Sequence, residues 1–414
     1  MTKSIQSRRS FLTRSLALGC SLAASPLVTP VTMASAPWDN RLVVIILRGG
    51  LDGLDAVRPY GAPEFHALRG RLLAEGVSPG ELDLDGYFAL HPALADLVPL
   101  WRAGELSFAH AVSTPYRNKR SHFDGQDILE AGTGSAGVES VRDGWLNRLL
   151  SEVPGAHAET AYAIGRQSML LTKGAADVSD WSPEASLVLS SQAERLLDLV
   201  MHDDPLFRDA LSEAIDLSQD DVLALGGDGD IDEADMMNAM QGMAAPAGRE
   251  KGLAQIAEFA ASRLRGETRI AAYSMNGFDT HANQSRTMSR ALKPLADNIM
   301  ILKKELGPVW GKTTVVAMTE FGRTVRANGT GGTDHGTGGL MIMAGGALRG
   351  GQVVTDWPGL SESALFEQRD LMPTRDLRAH TGWIMRGLFG LPRGLIENTV
   401  FPGVDLGDDP GLLL

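Results

Sequence analysis

Arg41-Leu-Val-Val-Ile-Ile-Leu47, followed at once by Arg48-Gly-Gly-Leu-Asp-Gly-Leu-Asp55, is the stretch that decides the fold. Its first part is a short, unbroken apolar run, rich in β-branched residues and closed by two glycines. A run without polar alternation is the pattern of a strand covered on both faces, as in a parallel sheet. Similar runs recur at 269–275, 313–318 and 340–344. Around them, 188–201, 250–265 and 288–306 carry apolar residues at three- and four-residue spacing, the helical period. Strands alternating with helices predict an α/β fold, a doubly wound, mostly parallel sheet with helices on both faces.

The composition agrees. Of 414 residues, 43% are apolar and 21% charged, which excludes wholesale disorder, a collagen-like repeat and a multi-span membrane protein. The 47 glycines point to many tight turns and close backbone approaches rather than to a helical bundle. The formal charge of −13 makes an acidic surface that repels polyanions, so nucleic acid and anionic lipid are poor partners outside a local basic pocket.

Residues 1–36 read as an export signal. Ser7-Arg-Arg-Ser-Phe-Leu12 precedes a mildly apolar run at 16–24, and Ala34-Ser-Ala36 is a small-residue cleavage site. The consecutive Arg8 and Arg9 resemble the twin-arginine signal, whose translocon carries folded proteins, so the expected location is periplasmic or secreted. The domain reading is a signal at 1–36 and a single α/β domain at 37–414. The only cysteine, Cys20, falls inside the signal, leaving the mature part without thiol, disulfide or cysteine metal ligand. Beyond the signal no apolar run reaches the ~18 residues a membrane span needs, and no integral membrane segment is expected. An acidic, Gly-rich stretch from Gly226 to Pro246 lacks the ligand spacing of a calcium loop and reads as solvated.

In an open α/β sheet, ligands bind at the carboxyl ends of the strands, so the residues after each apolar run are the candidates for chemistry. After the first comes Asp52 among glycines. After the run ending at Met275 come Asp279 and His281, two residues apart and therefore pointing the same way in extended backbone. After Met318 come Glu320 and Arg323, and just before Leu340 lie Asp334 and His335. Asp52, Asp279, His281, Glu320, Asp334 and His335 make a mixed oxygen and imidazole set, which suits zinc, manganese or iron rather than calcium or magnesium. Each aspartate in a glycine turn also has a bland reading as a turn or helix-cap residue.

One segment, Ser113-Thr-Pro-Tyr-Arg-Asn-Lys-Arg-Ser-His-Phe-Asp-Gly-Gln-Asp127, concentrates cations in an acidic chain. Arg117, Lys119 and Arg120 are candidates for binding an anionic substrate. Ser121, with His122 beside it, is the candidate nucleophile; the alternative makes Ser121 a helix N-cap, and the two roles are compatible because a helix N-terminus also binds anions. The remaining histidines read as surface or packing residues.

Arg48-Gly-Gly-Leu-Asp-Gly-Leu54, Pro115 to Asp127, Phe278-Asp-Thr-His-Ala-Asn-Gln284, Thr319-Glu-Phe-Gly-Arg-Thr324, Gly332-Thr-Asp-His-Gly-Thr-Gly-Gly339 and Asp356-Trp-Pro-Gly-Leu360 together resemble the bacterial exported family called domain of unknown function 1501. That family is similar to the alkaline phosphatase and sulfatase superfamily, whose fold carries metal ions at the strand ends and a serine, threonine or modified-cysteine nucleophile. The resemblance implies that Asp52 binds metal from the first strand, that Asp279 and His281 are a ligand pair, that His335 is the late histidine ligand and that Ser121 is the nucleophile. Where the superfamily has Asp-His, this chain has Glu320-Phe321, so one of two metal sites is incomplete or is rebuilt by Glu320 and Asp334. A cysteine-type sulfatase is excluded. The expectation is an exported, metal-dependent hydrolase of phosphate or related anionic esters, with a small anionic or carbohydrate-linked substrate, one or two divalent ions and Arg323 or Arg120 on the substrate oxygens. The competing expectation is a non-catalytic exported protein that binds a carbohydrate or a protein partner and retains at most one ion.

Overall fold

The computed structural model describes residues 38–73, 78, 80–117, 121–134, 143–165, 168–183 and 246–414. The expected signal at 1–36, the helix at 188–201, most of the acidic stretch, Lys119 and Arg120 lie outside the described residues.

Among the described residues nine strands form the main sheet: β1 (Arg41–Arg48), β2 (Leu106–Ser113), β3 (Ala161–Ile164), β4 (Ser179–Trp181), β5 (Ile270–Asn276), β6 (Thr313–Met318), β7 (Gly339–Ala344), β8 (Gln352–Val354) and β9 (Arg375–Asp376). Their order is β8-β2-β7-β6-β1-β5-β3-β4, with β9 also paired to β2. All pairings are parallel except the two made by β7, which runs against β6 and β2. The expected doubly wound, mostly parallel sheet is the fold of this chain.

β1 is central, with Val43 opposite Ala271 on one side and Val315 on the other. Its side chains alternate between two cores. Val43, Ile45 and Leu47 face the helices Pro246–Leu264 (α3) and Gln284–Leu306 (α4); Leu42, Val44 and Ile46 face His122–Ala131 (α1), Trp145–Ser151 (α2) and Leu377–Phe389 (α5). Helices therefore cover both faces, which is why the run at 42–47 contains no polar residue. In α4, Met288, Leu292, Leu295, Ile299, Leu302 and Leu306 are buried, a stripe three and four residues apart. The helix stops at Gly307, whose φ of 53° suits a residue without Cβ.

Five of the nine strands, β2, β3, β4, β8 and β9, lie outside the apolar runs of the sequence analysis, and the two longest show why. Leu106-Ser-Phe-Ala-His-Ala-Val-Ser113 is buried throughout, but His110 and the two serines break its apolar run. Ala161–Ile164 is four residues long and gives little pattern. Among the described residues no helix is long and apolar enough to cross a membrane.

Candidate metal centre

The geometry of the sheet collects the candidates on one edge. β1, β5, β6 and β2 all run the same way, so their carboxyl ends coincide; β7 runs against them, so the residues that precede it arrive at that same edge. Asp279 and His281 follow β5, Glu320 and Arg323 follow β6, His122 opens α1 after β2, and Asp334 and His335 come before β7. An antiparallel bridge between Arg323 and His335 ties the last two loops together.

Three imidazoles and one carboxylate converge there. Asp279 Oδ1 lies 3.1 Å from His281 Nε2, 3.4 Å from His335 Nε2 and 3.5 Å from His122 Nε2. His281 Nε2 and His335 Nε2 are 2.9 Å apart. One ligand atom each from His122, Asp279 and His335 falls within a mutual 4.8 Å. The outer nitrogens are held by carboxylates: His122 Nδ1 meets Glu320 Oε1 at 2.8 Å, and His281 Nδ1 meets Asp334 Oδ1 at 3.3 Å. A histidine that donates Nδ1–H to a carboxylate presents its Nε2 lone pair, the arrangement of a metal-ligating imidazole. His122 Nε2 is buried and makes no hydrogen bond. Lone pairs aimed at one another and at a carboxylate repel unless a cation or a proton sits among them, so this donor set fits a divalent transition ion.

The charges agree with that fit. Burial pushes the Asp279 carboxyl up, but the hydrogen bond and charge of Arg323, with His281 and His122 nearby, outweigh it and hold the carboxylate below its usual range. Burial likewise opposes the ionised form of Glu320, and hydrogen bonds from His122, Gln126 and the Gly49 amide reverse the balance. Glu320 in turn raises the affinity of His122 for a proton, chiefly through their hydrogen bond. Asp334 is held low first by Asn328, whose Nδ2 donates to it at 3.1 Å.

Phe321 forms an apolar wall behind the cluster, with ring centroids 5.1 Å from His122 and 5.0 Å from His335. Gly50, at φ 69°, makes room for it, since a Cβ there would stand 2.7 Å from the Phe321 ring. Gly332 does the same for the loops: a Cβ would meet the His281 backbone at 2.3 Å.

Several expected site residues are elsewhere or differently employed. Asp52 is fully buried but pairs with Arg69 at 2.6 Å, accepts from Gln284 Nε2 at 2.7 Å and caps the turn at Leu54 N, so its oxygens face an internal ion pair and not the histidine cluster. Glu320 has one oxygen on the Gly49 amide and on His122, and it orients an imidazole. Arg323 is buried; it donates to the carbonyls of Gly49, Gly50, Phe278 and Thr333 and pairs with Asp279, so its nitrogens are taken up by protein groups. Asp334 touches His281 only through Nδ1. Arg117 turns Nη1 onto the carbonyls of Thr114 and Tyr116. Ser121 is the N-cap of α1, its Oγ accepting from Asp124 N at 3.4 Å and its own amide held by Tyr116 Oη at 2.7 Å.

His122, expected from the sequence as a catalytic residue beside Ser121, is brought into the histidine cluster itself. Gln126, one turn on in α1, donates to the same Glu320 oxygen, and its own Oε1 accepts from Arg48. The His122 and Gln126 spacing, four residues apart and thus on one helix face, was the available signal.

An α/β protein with histidines and a carboxylate gathered at the carboxyl edge of its sheet is the class the geometry defines. Within it, residues 101–390 match the model of the family described as Protein of unknown function (DUF1501), and the chain belongs to that family. No protein among the curated ones matches it. Two solved structures are similar at low identity. The lipoteichoic acid synthase LtaP from Listeria monocytogenes shares 9% identity at a TM-score of 0.40, over 92% of this chain and 78% of that one. The C-terminal periplasmic domain of EcEptC from Escherichia coli, a complex with Zn, shares 8% at a TM-score of 0.34, over 75% and 74%.

Proposed function

We propose that this protein is an exported, metal-dependent hydrolase of phosphate or related anionic esters. The observation that carries the reading is the convergence of His122, His281 and His335 Nε2 on Asp279 Oδ1, with carboxylates behind two of the rings. Asp279, His122, His281 and His335 would hold one divalent ion, zinc or manganese on its donor chemistry, with Glu320 and Asp334 positioning the rings. Such an ion, when bound, supplies Lewis-acid stabilisation of charge on a transferring group. Ser121 supplies the hydroxyl nucleophile: it sits next to His122 at the first turn of α1, where free backbone amides favour an anion. Its oxygen bonds to the phosphorus as the bond to the leaving oxygen breaks, the hydroxyl proton ends on the departing alcohol, and water then hydrolyses the seryl phosphate to release phosphate and restore the hydroxyl. Arg117, Lys119 and Arg120 belong to the segment that leads into this turn and supply positive charge for the substrate.

Export by the twin-arginine route belongs to the same proposal, resting on Arg8-Arg9 and the small-residue site at 34–36, with residues 37–414 as the mature domain. Replacing both arginines with lysine is expected to leave the precursor in the cytoplasm; unchanged export would refute the assignment.

The deciding experiment measures metal content and turnover of an activated phosphate monoester and a diester together. Protein loaded with zinc or manganese should bind one ion per chain and hydrolyse at least one ester, and Ser121→Ala should lose turnover while keeping the ion. If loaded parent protein hydrolyses neither ester with any of zinc, manganese, magnesium or calcium, the hydrolase reading gives way to an exported binding protein.

A further inference from the structure

β2 carries two short strands along one edge, and they leave a gap. β8 pairs Ser107 to Ala109 and β9 pairs Val112 and Ser113, so His110 lies opposite neither. At this gap the pairing of β2 with β7 shifts register between His110 and Val112, and Ala111 has a φ of 56°, a strained value for a residue with a side chain. The chain departs from the edge after Val354 and returns at Arg375, leaving a cavity of about 200 Å³. Its walls include His110, Thr355, Asp356, Thr374, Arg375 and His380, none of which belongs to the histidine cluster.

The polar groups of this cavity fall into two kinds. His110 is complete: Nδ1 accepts from the Ala111 amide at 2.9 Å and Nε2 faces the Val57 carbonyl at 3.1 Å. Thr355 Oγ1 and His380 Nδ1, by contrast, are buried without a hydrogen-bond partner, and His380 is only 1% exposed. A buried polar atom left unpaired is destabilising, so native proteins retain such atoms where something else binds them. A threonine hydroxyl donates, and a neutral imidazole donates from one nitrogen. Arg375 adds a cation whose Nη2 is held by the main-chain carbonyls of Leu406 and Asp408 and, among the described residues, by no carboxylate. The one acid in the wall, Asp356, is exposed to solvent. Two unused groups able to donate and a cation without a counter-ion call for an acceptor that carries negative charge.

We propose that this gap in the sheet edge is a second binding site, separate from the histidine cluster, for a small oxyanion such as a phosphate or a carboxylate group, held by Arg375, Thr355 and His380. The site is a property of the fold's edge and does not depend on the hydrolase reading.

Calorimetric titration of the full chain with inorganic phosphate, and separately with acetate, tests it in the parent protein and in His281→Ala, Thr355→Val and Arg375→Gln. Thr355→Val keeps the shape and removes the hydroxyl, so its folding is not in question. The expected result is a binding event that persists in His281→Ala and weakens by about ten- to a hundredfold in Thr355→Val and Arg375→Gln, the loss of one charge-assisted contact. Tighter phosphate points to a phosphate ester group as the natural ligand and tighter acetate to a carboxylate, and either supports the site. Binding that disappears entirely in His281→Ala, or that is unchanged in Thr355→Val, overturns it, as does a titration with no anion binding, which would leave the cavity filled by water only.

Discussion

Replacing Asp52 with asparagine separates the two roles open to this residue. As a metal ligand it would be needed for ion binding; as placed in the structure it is needed for folding. Asp52 and Arg69 are both essentially excluded from solvent, 2.6 Å apart, and Arg69 spends its other nitrogens on the carbonyls of Val325 at 2.6 Å and Thr324 at 2.7 Å. Gln284 Nε2 and Thr333 Oγ1 also approach Asp52 Oδ2, at 2.7 and 3.2 Å. Asparagine has one acceptor oxygen and no charge: it serves either the Leu54 amide or the Arg69 side, and in both orientations Arg69 is left as an uncompensated buried cation. Breaking a buried pair in this way costs about 3–5 kcal/mol. For a domain of this size, with an unfolding entropy of about 2.1 cal/mol/K per residue, that is roughly 4–6 °C in Tm. Thermal and urea unfolding, read beside metal content, give the answer: Asp52→Asn should be less stable by that amount with its ion retained. Asp52→Leu combined with Arg69→Met removes both charges and should be the milder change. A single variant that loses the ion at unchanged stability would refute the reasoning. The pair also has a pH signature. Burial pushes the Asp52 carboxyl up, but the Arg69 charge and hydrogen bond, with Gln284, hold it below its ordinary value. Its stabilisation is therefore present above the unfolded value near 3.8 and is lost as pH falls through the lower folded one.

Glu320→Gln should weaken metal binding by about ten- to a hundredfold while the chain stays folded, because His122 loses the carboxylate that fixes its tautomer; an unchanged affinity in competition titration would remove Glu320 from the positioning role. Chelation should lower Tm, since an ion that binds only the native state contributes about 2.7 kcal/mol at a hundred times its Kd; an identical melting curve after confirmed metal loss would show that the ion adds no stability. Burial pushes His91 and His110 down to about 4 and His380 to about 3. Unfolding then takes up protons between pH 6.5 and 4, and stability should fall with decreasing pH by about 1.4 kcal/mol per unit for each histidine; a flat profile through pH 5 would mean that these rings are charged in the native state.

Continuous apolar runs were legible because both faces of a parallel sheet are buried and the strands carry no polar alternation. The reading of Arg41–Leu47, of 313–318 and of the helices at 250–265 and 288–306 came from that pattern and from the helical period, and the structure places elements there within a few residues. β2 was not legible because His110 is buried by satisfying both ring nitrogens on main-chain groups, a device invisible in a hydropathy pattern. At the site, the recurrence of acids and histidines after strands was visible, but their division of labour was not. Asp52 and Asp279 have similar surroundings in the sequence, glycine-rich turns after strands. Each pairs with an arginine; what distinguishes them is that Asp52, fully buried, has its oxygens taken up by Arg69, seventeen positions away, by Gln284 and by the Leu54 amide, whereas Asp279 also faces three imidazoles. The bland reading of an aspartate in a glycine turn holds for Asp52, and the sequence holds no local sign of the arginine that decides it.

The same locking bears on how many ions the proposed enzyme holds. A second ion beside the first would draw on Asp52 and on the residues after β6. Asp52 is committed to Arg69, Glu320 to His122, Gln126 and the Gly49 amide, and Phe321 lines that side with carbon. Arg323, whose guanidinium joins the Gly49, Gly50, Phe278 and Thr333 carbonyls to Asp279, puts a fixed positive charge where a second cation would be repelled. On the proposed reading, then, one ion and the amide-rich first turn of α1 share the stabilisation of the transferring group. Arg323→Met tests this division. It leaves four carbonyls and Asp279 without their donor, so stability should fall by several kcal/mol, and Asp279, no longer held by the guanidinium, should be free to bind the ion more tightly per folded molecule. Measured on the folded fraction, a weaker ion in Arg323→Met would mean that the arginine's positioning of Asp279 outweighs the charge it withdraws, and the electrostatic argument for a single ion would fail.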